Sequence, residues 1–134
     1  ILPADEMPDD EYPMILTTGT HLEHWHTGAM SRRSMVLDAI EPDAVASVNP
    51  DDLGEIGVEP GDIIRVTTRR GTIEMKARAD VAVPRGVVFI AFGFVEASAN
   101  LLTNPALDPI GKIPDVKFCA VKVESAGRAA DAAE

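Results

Sequence analysis

Residues 17–33 hold most of the side chains in this chain that could bind a ligand, including all three histidines, the only tryptophan and five hydroxyl groups. Gly19 and Gly28 have no Cβ, so backbone N–H groups beside them can approach a ligand closely. Arg32 and Arg33 end the stretch with forked, permanently charged donors that suit phosphate oxygens. In a chain with a net charge of -10, this concentration of donors predicts a loop that binds an anion.

The histidines and Glu23 are also of the types that bind zinc, so this stretch has several interpretations. His24 and His26 would share a face on a strand, and His21 and His24 would share one on a helix. No further ligand follows at a spacing typical of a zinc site. The alternatives are histidines hydrogen-bonded within the protein, or histidines that donate to a negatively charged ligand. Trp25 is either a core aromatic residue with a paired N–H or part of the same ligand surface.

A second irregular stretch, Gly93–Asp115, contains Asn, Pro and Gly throughout and is too long for an idle connection in a small domain. Its polar side chains could contact a ligand. The alternatives without a ligand are that Asn100 caps a helix and that Asp108 starts a turn.

Two donor-rich irregular stretches in a chain otherwise composed of strands have one economical explanation, which is a shared ligand. We therefore expect Ala99–Asp108 to lie beside residues 17–33. We also expect eight residues of the first stretch to surround a single concave surface, namely Thr18, Gly19, His24, His26, Thr27, Gly28, Ser31 and Arg32.

Short apolar runs separated by turn residues predict a mainly β domain. Residues 72–79 alternate strictly, with Ile73, Met75, Ala77 and Ala79 on one face. Short strands with few helices favour a β-barrel over a doubly wound α/β fold. The predicted strands are 12–17, 44–48, 63–68, 72–79 with a continuation over 81–83, 87–92 and 116–123.

One or two short helices are predicted. Residues 30–40 could be helical or extended, and a short helix follows the second strand. Asn49 is a good N-cap, and Pro50 suits the first helical position. Gly57 would end the helix in a left-handed conformation. Pro60-Gly61 then predicts a type II turn, and Arg70-Gly71 a tight hairpin.

The length of 134 residues predicts one domain. We divide it into a linker or arm (1–11), a barrel (12–124) and a disordered tail (125–134), because the two ends lack apolar periodicity. A pI near 4.6 argues against general nucleic-acid binding, which needs patches of Lys and Arg. No apolar run reaches the about 18 residues of a membrane span.

The chain begins without Met or a basic n-region, so we expect a piece of a longer protein. We expect a cytoplasmic location, or a periplasmic one if the full-length protein carries a twin-arginine signal. The run from Asp38 to Asp62 contains eight acids and no base, which is typical of a solvated face or of a docking surface for a basic partner.

Two sequence motifs resemble a known family. The first is Thr18-Gly19 followed by His-Leu-Glu-His-Trp-His-Thr-Gly-x-Met-Ser-Arg-Arg over residues 21–33. The second is Ala-Asn-Leu-Leu-Thr-Asn-Pro-Ala-Leu-Asp-Pro over residues 99–109, followed by Lys-Ile-Pro-x-x-Lys over 112–117. Both are similar to the C-terminal domain of molybdopterin-dependent formate dehydrogenases, and the likeness covers about Tyr12 to Glu124.

The resemblance implies a six-stranded double-psi β-barrel of the aspartate-decarboxylase-like kind. It also implies a molybdopterin guanine dinucleotide cofactor, whose molybdenum or tungsten is held by preceding catalytic domains of the same polypeptide or complex. The Asn100 amide would suit the edge of a pterin or guanine ring, and the Asp108 carboxylate could accept two guanine N–H groups. Relatives commonly carry Arg where Thr20 stands here, so one cofactor contact is missing.

The cofactor-binding residues expected on this basis come from both stretches: Thr18, Gly19, Thr20, His24, Trp25, His26, Thr27, Gly28, Ser31, Arg32, Asn100, Thr103, Asp108 and Lys117. We expect no catalytic or metal-binding residue in the chain, so the domain alone should not oxidise formate to carbon dioxide. One alternative is the same domain in an oxidoreductase of the nitrate reductase or formylmethanofuran dehydrogenase type. The other is a cofactor-free double-psi barrel that acts as an adaptor.

Overall fold

Six strands close into a barrel in the computed structural model, which describes residues 3–128. The strands are β1 (Met14–Gly19), β2 (Val45–Val48), β3 (Ile63–Thr67), β4 (Thr72–Ala79), β5 (Val87–Ala91) and β6 (Cys119–Gly127). Their order around the barrel is β1-β5-β2-β4-β3-β6. The connections contain the helices α1 (Met35–Ile40) and α2 (Pro50–Ile56) and the 3₁₀ turns Ser31–Arg33 and Ala99–Leu101. The expected six-stranded double-psi barrel with one or two short helices is confirmed.

Strand β4 shows why these residues form a barrel wall. Ile73, Met75 and Ala77 are buried, while Glu74 and Lys76 between them are exposed, as the period-2 alternation predicts. Corresponding apolar side chains from all six strands fill the barrel interior. This packing supplies the main driving force for the fold, since each large apolar side chain that is fully buried contributes about 1.5–3 kcal/mol.

Strands β1 and β5 are parallel neighbours, with Ile15 opposite Val87 and Gly19 opposite Ala91. The pairing continues one step beyond the strands, because the Phe92 N–H donates to the Gly19 carbonyl at 2.8 Å. Parallel strands that are in register end at the same edge of a barrel. The connections that follow β1 and β5 therefore start side by side, and we call this edge the upper end of the barrel.

Helix α2 forms as its cap sequence predicts. The Asn49 side chain accepts the N–H of Asp51 at 3.0 Å, Pro50 occupies the first turn, and Gly57 ends the helix with φ of 77°. Leu53 is buried against the barrel. The predicted type II turn and hairpin also form, since Asp62 N bonds to Glu59 O and Thr67 pairs with Thr72.

Several predicted boundaries were wrong. Strand β1 begins at Met14 and extends to Gly19. Residues 81–83 form a turn instead of a strand, because the Asp80 side chain accepts the Ala82 N–H and ends the extended conformation. Strand β4 ends at Ala79, which is exposed although it continues the apolar face.

The last strand is displaced towards the C-terminus relative to its prediction. It begins at Cys119 instead of residue 116 and continues to Gly127. Ser125 and Gly127 pair with Ile64 and Ile63, so the ladder to β3 supports the strand beyond the predicted domain boundary at Glu124. The rest of the expected tail, residues 129–134, lies outside the described residues.

The residues before β1 contain no helix or strand between residue 3 and residue 13, and we call this segment the arm. The arm is held against the barrel by ion pairs. Glu6 pairs with Arg69 and Arg70 of the β3–β4 hairpin, and Asp9 also pairs with Arg69. Over residues 3–128, no helix is both long enough and apolar enough to span a bilayer.

The two roles of Asn49 give a test of the fold. Its Oδ1 caps α2, and its Nδ2 donates to the Val83 carbonyl at 2.9 Å. We expect Asn49→Ala to lower the free energy of unfolding by about 1–2 kcal/mol, because both groups lose their partner. Asn49→Ser keeps a capping oxygen and should lose roughly half as much. Urea unfolding of the full chain measures both, and equal losses would contradict the capping role.

Candidate functional site

A cleft of about 350 Å³ opens at the upper end of the barrel, between the connection after β1 and the connection after β5. Both irregular stretches contribute to it. The cleft is lined by His26, Thr27, Phe92, Gly93, Phe94, Val95, Ser98, Ala99 and Asn100. His26 and Asn100 are more than seventy residues apart in the sequence, so the expectation that the two stretches lie together is confirmed for Ala99 and Asn100.

Two glycines let the two connections touch through their backbones. Gly28 has φ of 73°, and a Cβ added there would overlap the carbonyl oxygen of Gly93. Gly93 has φ of 123°, and a Cβ added there would lie 3.3 Å from the His26 carbonyl oxygen. Any larger residue at Gly28 would therefore need both an unfavourable φ and a separation of the two backbones.

His24 stabilises the connection after β1, which we call the first connection, through buried hydrogen bonds. Its side chain is 0% exposed, its Nε2 lies 2.7 Å from the Glu41 carbonyl oxygen, and its Nδ1 lies 3.3 Å from Ser31 Oγ. The carbonyl can only accept, so Nε2 carries the hydrogen and Nδ1 accepts from Ser31. Ser31 Oγ in turn accepts the backbone N–H of Trp25 at 3.0 Å. The ring of Phe94 packs edge-on against the His24 ring.

These bonds occupy both ring nitrogens of His24 and the hydroxyl of Ser31. His24 therefore matches the alternative of a histidine hydrogen-bonded within the protein, and contact of His24 and Ser31 with a ligand stays a prediction. Both residues are buried, and their partners lie within the connection that they stabilise. Their contribution to a binding site is to hold the loop in shape.

Arg32 has its guanidinium committed within the protein. Nε donates to Asp38 at 3.0 Å, Nη1 to Glu96 at 2.5 Å, and Nη2 to the Pro42 carbonyl at 3.2 Å. Its guanidinium carbon also lies 4.8 Å from the centre of the Phe94 ring. The bond to Glu96 raises the pKa of Arg32, burial opposes that change, and Asp38 adds to it. The predicted phosphate-binding Arg32 is thus already neutralised, and it links the two connections.

Residues at the end of β1 also differ from the prediction. The Thr18 side chain is buried, its hydroxyl donates to the Val116 carbonyl, and it does not line the cleft. Gly19 lies over Phe89, whose ring would be 2.7 Å from an added Cβ. Thr20 is exposed in a neighbouring recess beside His21.

Trp25, His26 and Thr27 are exposed at the tip of the first connection. Trp25 is 67% exposed, so the core alternative for this residue is wrong. Its ring packs edge-on against His26, with 4.4 Å between the ring centres. His26 has φ of 48°, a left-handed conformation that turns the chain into the cleft wall.

The second stretch divides in a similar way. Asn100 is exposed and lines the cleft, and Ser98, not Asn100, precedes the 3₁₀ turn as its N-cap. Thr103 donates to the Asn100 carbonyl at 3.3 Å. The Asp108 carboxylate accepts the N–H groups of Ile110 and Gly111, which matches the turn alternative.

The eight residues expected around one concave surface are thus distributed over several places. His26 and Thr27 line the cleft, and Gly28 and Arg32 line an adjacent recess together with Thr27. His24 and Ser31 border a third recess with Thr20 and Trp25. These residues lie in different places because half of them form hydrogen bonds within the protein that hold the loop in place.

Three residues outside the predicted list of cofactor-binding residues are also candidates. Arg33 is exposed and lines the recess at Gly28. The Nε2 of His21 is buried without a hydrogen-bond partner among the described residues. Phe92 lies in the cleft floor, where Lys117 approaches its ring at 5.9 Å. In the sequence Arg33 and Arg32 are indistinguishable, so only the positions of Asp38 and Glu96 reveal which arginine is available.

Most lysines and arginines form ion pairs, and the exceptions lie mainly at the upper end of the barrel. Arg33 and Lys112 show neither an ion pair nor a side-chain hydrogen bond within residues 3–128, and Lys117 donates only to the Thr18 carbonyl, at 2.7 Å. The paired residues are Arg32, Arg65, Arg69, Arg70, Lys76, Arg78, Arg85 and Lys122. Across the same described range, no three His, Cys, Asp or Glu side chains are grouped so as to hold a metal ion.

Comparison with known proteins places this chain in a family. The family described as Molydopterin dinucleotide binding domain matches residues 14–120. The chain is 50% identical over 121 residues to the F420-dependent formate dehydrogenase subunit alpha of Methanocaldococcus jannaschii. It is 44% identical over 122 residues to the F420-dependent formate dehydrogenase 2 subunit alpha of Methanococcus maripaludis. These alignments cover 89% and 90% of the chain, which spans 18% of the length of each relative.

A solved structure has the same fold at low sequence identity. Acetylene hydratase from Pelobacter acetylenicus superimposes with a TM-score of 0.76 at 22% identity, over 86% of this chain and 18% of that protein. The likeness supports the fold alone.

The contact between Gly28 and Gly93 can be tested with a matched pair of variants. Gly28→Ala and Gly57→Ala both place alanine at a φ near 75°, but nothing lies within 4 Å of an added Cβ at Gly57. We expect Gly57→Ala to cost about 1 kcal/mol of stability from the backbone alone. Gly28→Ala should cost about 2–4 kcal/mol, because the backbones must also separate. Urea unfolding measures both, and equal costs would contradict the close approach.

Proposed function

This chain belongs to the Molydopterin dinucleotide binding domain family, and we propose that it is the part of a formate dehydrogenase alpha subunit that holds a molybdopterin guanine dinucleotide. The observation that carries this proposal is the upper-end cleft, where exposed donors of both stretches meet next to a recess lined by Arg33, which has no ion pair within residues 3–128. The identity of 44–50% to formate dehydrogenase alpha subunits supports the choice of enzyme. Because the chain spans 18% of those relatives, the activity would belong to the longer protein.

The residues present fit a dinucleotide of this kind. Gly28 and Gly93 bring the two connections into backbone contact beside the cleft, and the Gly28 N–H already donates to the Trp25 carbonyl at 2.9 Å, so Gly28 would shape the site without donating to the cofactor. His21 has a buried ring nitrogen without a partner among the described residues, and such an atom needs a hydrogen bond. The cleft floor is apolar where Phe92 and Phe94 line it, which suits the face of a heterocyclic ring.

We assign the polar contacts by exposure and by lack of another partner. Arg33, Lys112 and Lys117 would balance phosphate charge, since a guanidinium or ammonium without an ion pair binds an anion without breaking an existing bond. His26, Thr27 and Asn100 would contact ring edges and hydroxyl groups from the cleft walls. Gly19, Thr20, Trp25 and Thr103 remain proposed neighbours of the cofactor, whereas Asp108 would have to bind with a carboxylate that already accepts two N–H groups.

When bound, the cofactor would supply the metal centre for the oxidation of formate. This chain would contribute binding and orientation, because its donors would fix one end of the dinucleotide and so the position of the metal. The nitrate reductase and formylmethanofuran dehydrogenase alternatives would use the same donors. The isolated chain should not oxidise formate, since the catalytic groups would lie in the preceding domains.

Those preceding domains are the partner that we propose for the exposed apolar surface near the cleft. Helix α1 buries none of its residues, and Met35, Val36 and Ile40 on it are 87%, 70% and 58% exposed. Leu22 and Trp25 in the same connection are also exposed. Apolar surface of this extent is typical of an interface.

The domain division completes the proposal. The arm would lead from the preceding domains to the barrel, and its first described residues reach the upper end, where Asp5 contacts Asn104. The barrel would be the cofactor-binding unit. The expected cytoplasmic location belongs to the same proposal, and cell fractionation tests it.

Calorimetry with GDP tests the assignment of the phosphate contacts. We expect the full chain to bind GDP weakly, because one wall of the site contributes and ordering the loops costs free energy. Arg33→Ala should weaken binding about tenfold, the value of one charge-assisted hydrogen bond.

Arg65→Ala is the matched control, since it removes an arginine from an exposed ion pair with Glu74 on the barrel wall. This variant should bind GDP like the wild type. Equal losses for the two variants would show a general charge effect and overturn the assignment to Arg33. A wild-type chain that does not bind GDP at millimolar concentration would favour the adaptor alternative.

A further inference from the structure

The arm is connected to the cleft wall through Glu6, which is the most buried carboxylate of the arm. Its side chain is 12% exposed. It pairs with Arg70 and Arg69, and it accepts the Ala120 N–H at 2.9 Å. Burial alone would raise the pKa of Glu6, but the bonds from Arg70 and Ala120 and the charges of both arginines outweigh it and lower the pKa. Glu6 therefore stays ionised and fixed in the folded protein.

Arg70 links Glu6 of the arm to the segment that carries Asn100. While its terminal nitrogens hold Glu6, its Nε donates to the Leu102 carbonyl at 3.2 Å. The Cys119 thiol also approaches this carbonyl, at 3.5 Å. Leu102 is 0% exposed and directly follows the 3₁₀ turn that carries Asn100 into the cleft. One guanidinium thus joins the arm to the base of the cleft wall.

Two further contacts act on the same wall. Asn104 is 5% exposed and donates to Asp5 of the arm at 3.1 Å, while its own oxygen accepts the Ala106 N–H. The β3–β4 hairpin also contacts this wall through its backbone, because the Leu101 carbonyl oxygen lies 2.9 Å from where a Cβ of Gly71 would be. The arm, the hairpin and the segment 99–104 therefore form one packed unit.

We propose that the arm is a brace that positions the Asn100 wall of the cleft, with Glu6 and Arg70 as positioning residues. This inference rests on the proposed function for its ligand, but not for its mechanical part. A displaced arm would free Arg70 from its carboxylate, loosen its hold on Leu102, and let the wall move. Whatever precedes the arm in a longer polypeptide would then act on cofactor affinity through this unit.

Glu6→Gln tests the brace with little change of shape. Gln can still accept the Ala120 N–H but lacks the charge that holds Arg70. By hydrogen–deuterium exchange of the full chain, we expect residues 98–104 to exchange about fivefold faster, with β2 and β4 unchanged. GDP affinity in calorimetry should fall about three- to tenfold.

Two controls separate this effect from loss of charge or of an ion pair. Glu11→Gln neutralises an exposed arm carboxylate whose side chain forms neither an ion pair nor a hydrogen bond within residues 3–128. Glu74→Gln breaks the ion pair with Arg65 on the barrel wall. Both should leave exchange at residues 98–104 and GDP affinity at wild-type values.

Exchange in Glu6→Gln that rises equally in β2, β4 and residues 98–104 would overturn the brace, because it would show a general loss of stability. Unchanged exchange at residues 98–104 would also overturn it. A wild type that binds no GDP would contradict the proposed function only, since the exchange comparison needs no ligand. Glu6→Gln combined with Arg70→Lys should loosen the wall no more than Arg70→Lys alone if the two residues act in series.

Discussion

Parallel pairing between β1 and β5 is the constraint on which the candidate site depends. It makes the two strands end at the same edge of the barrel, with Gly19 opposite Ala91. Two connections separated by about seventy residues of sequence consequently start next to each other. A barrel closed in this order has no free sheet edge to absorb a shift of register. The cleft is therefore as rigid at its base as the strands below it.

Above that base, several polar residues of the first connection hold the loop together through hydrogen bonds within the protein. His24 is hydrogen-bonded to both the Ser31 hydroxyl and the Glu41 carbonyl, and Arg32 joins the two connections through Glu96. Buried polar groups need partners because an unpaired one costs about 1–3 kcal/mol. A donor-rich motif thus includes the internal bonds that keep its exposed donors in place. Those exposed donors are fewer than the motif suggests.

The charge distribution follows the same principle. Much of the acidic run after Arg33 is paired with cations of the barrel, as Glu41 is with Arg78, Asp43 with Lys76 and Glu55 with Arg85. All acids of this run except Asp52 are exposed or half-buried, so the run is a solvated face on which several carboxylates form ion pairs. Pairing removes these cations from the list of anion ligands, and the unpaired Arg33, Lys112 and Lys117 lie on the upper-end connections. In a chain of net charge -10, this placement is the basis for the proposal that the upper end binds an anion.

The sequence by itself determined the features that depend on near neighbours. The alternation of β4, the Asn49 cap, the Gly57 terminus and the turn at Gly61 all follow from residues within a few positions. The two long motifs also identified the family and both stretches of the site. Tertiary structure alone decided where β6 ends, because its last residues depend on pairing with β3. It also decided which donors are available, since Arg32 and Glu96 are 64 positions apart. The physical reason is that local propensity acts along the chain, whereas the partner of a charge or a buried hydrogen bond is set by the fold.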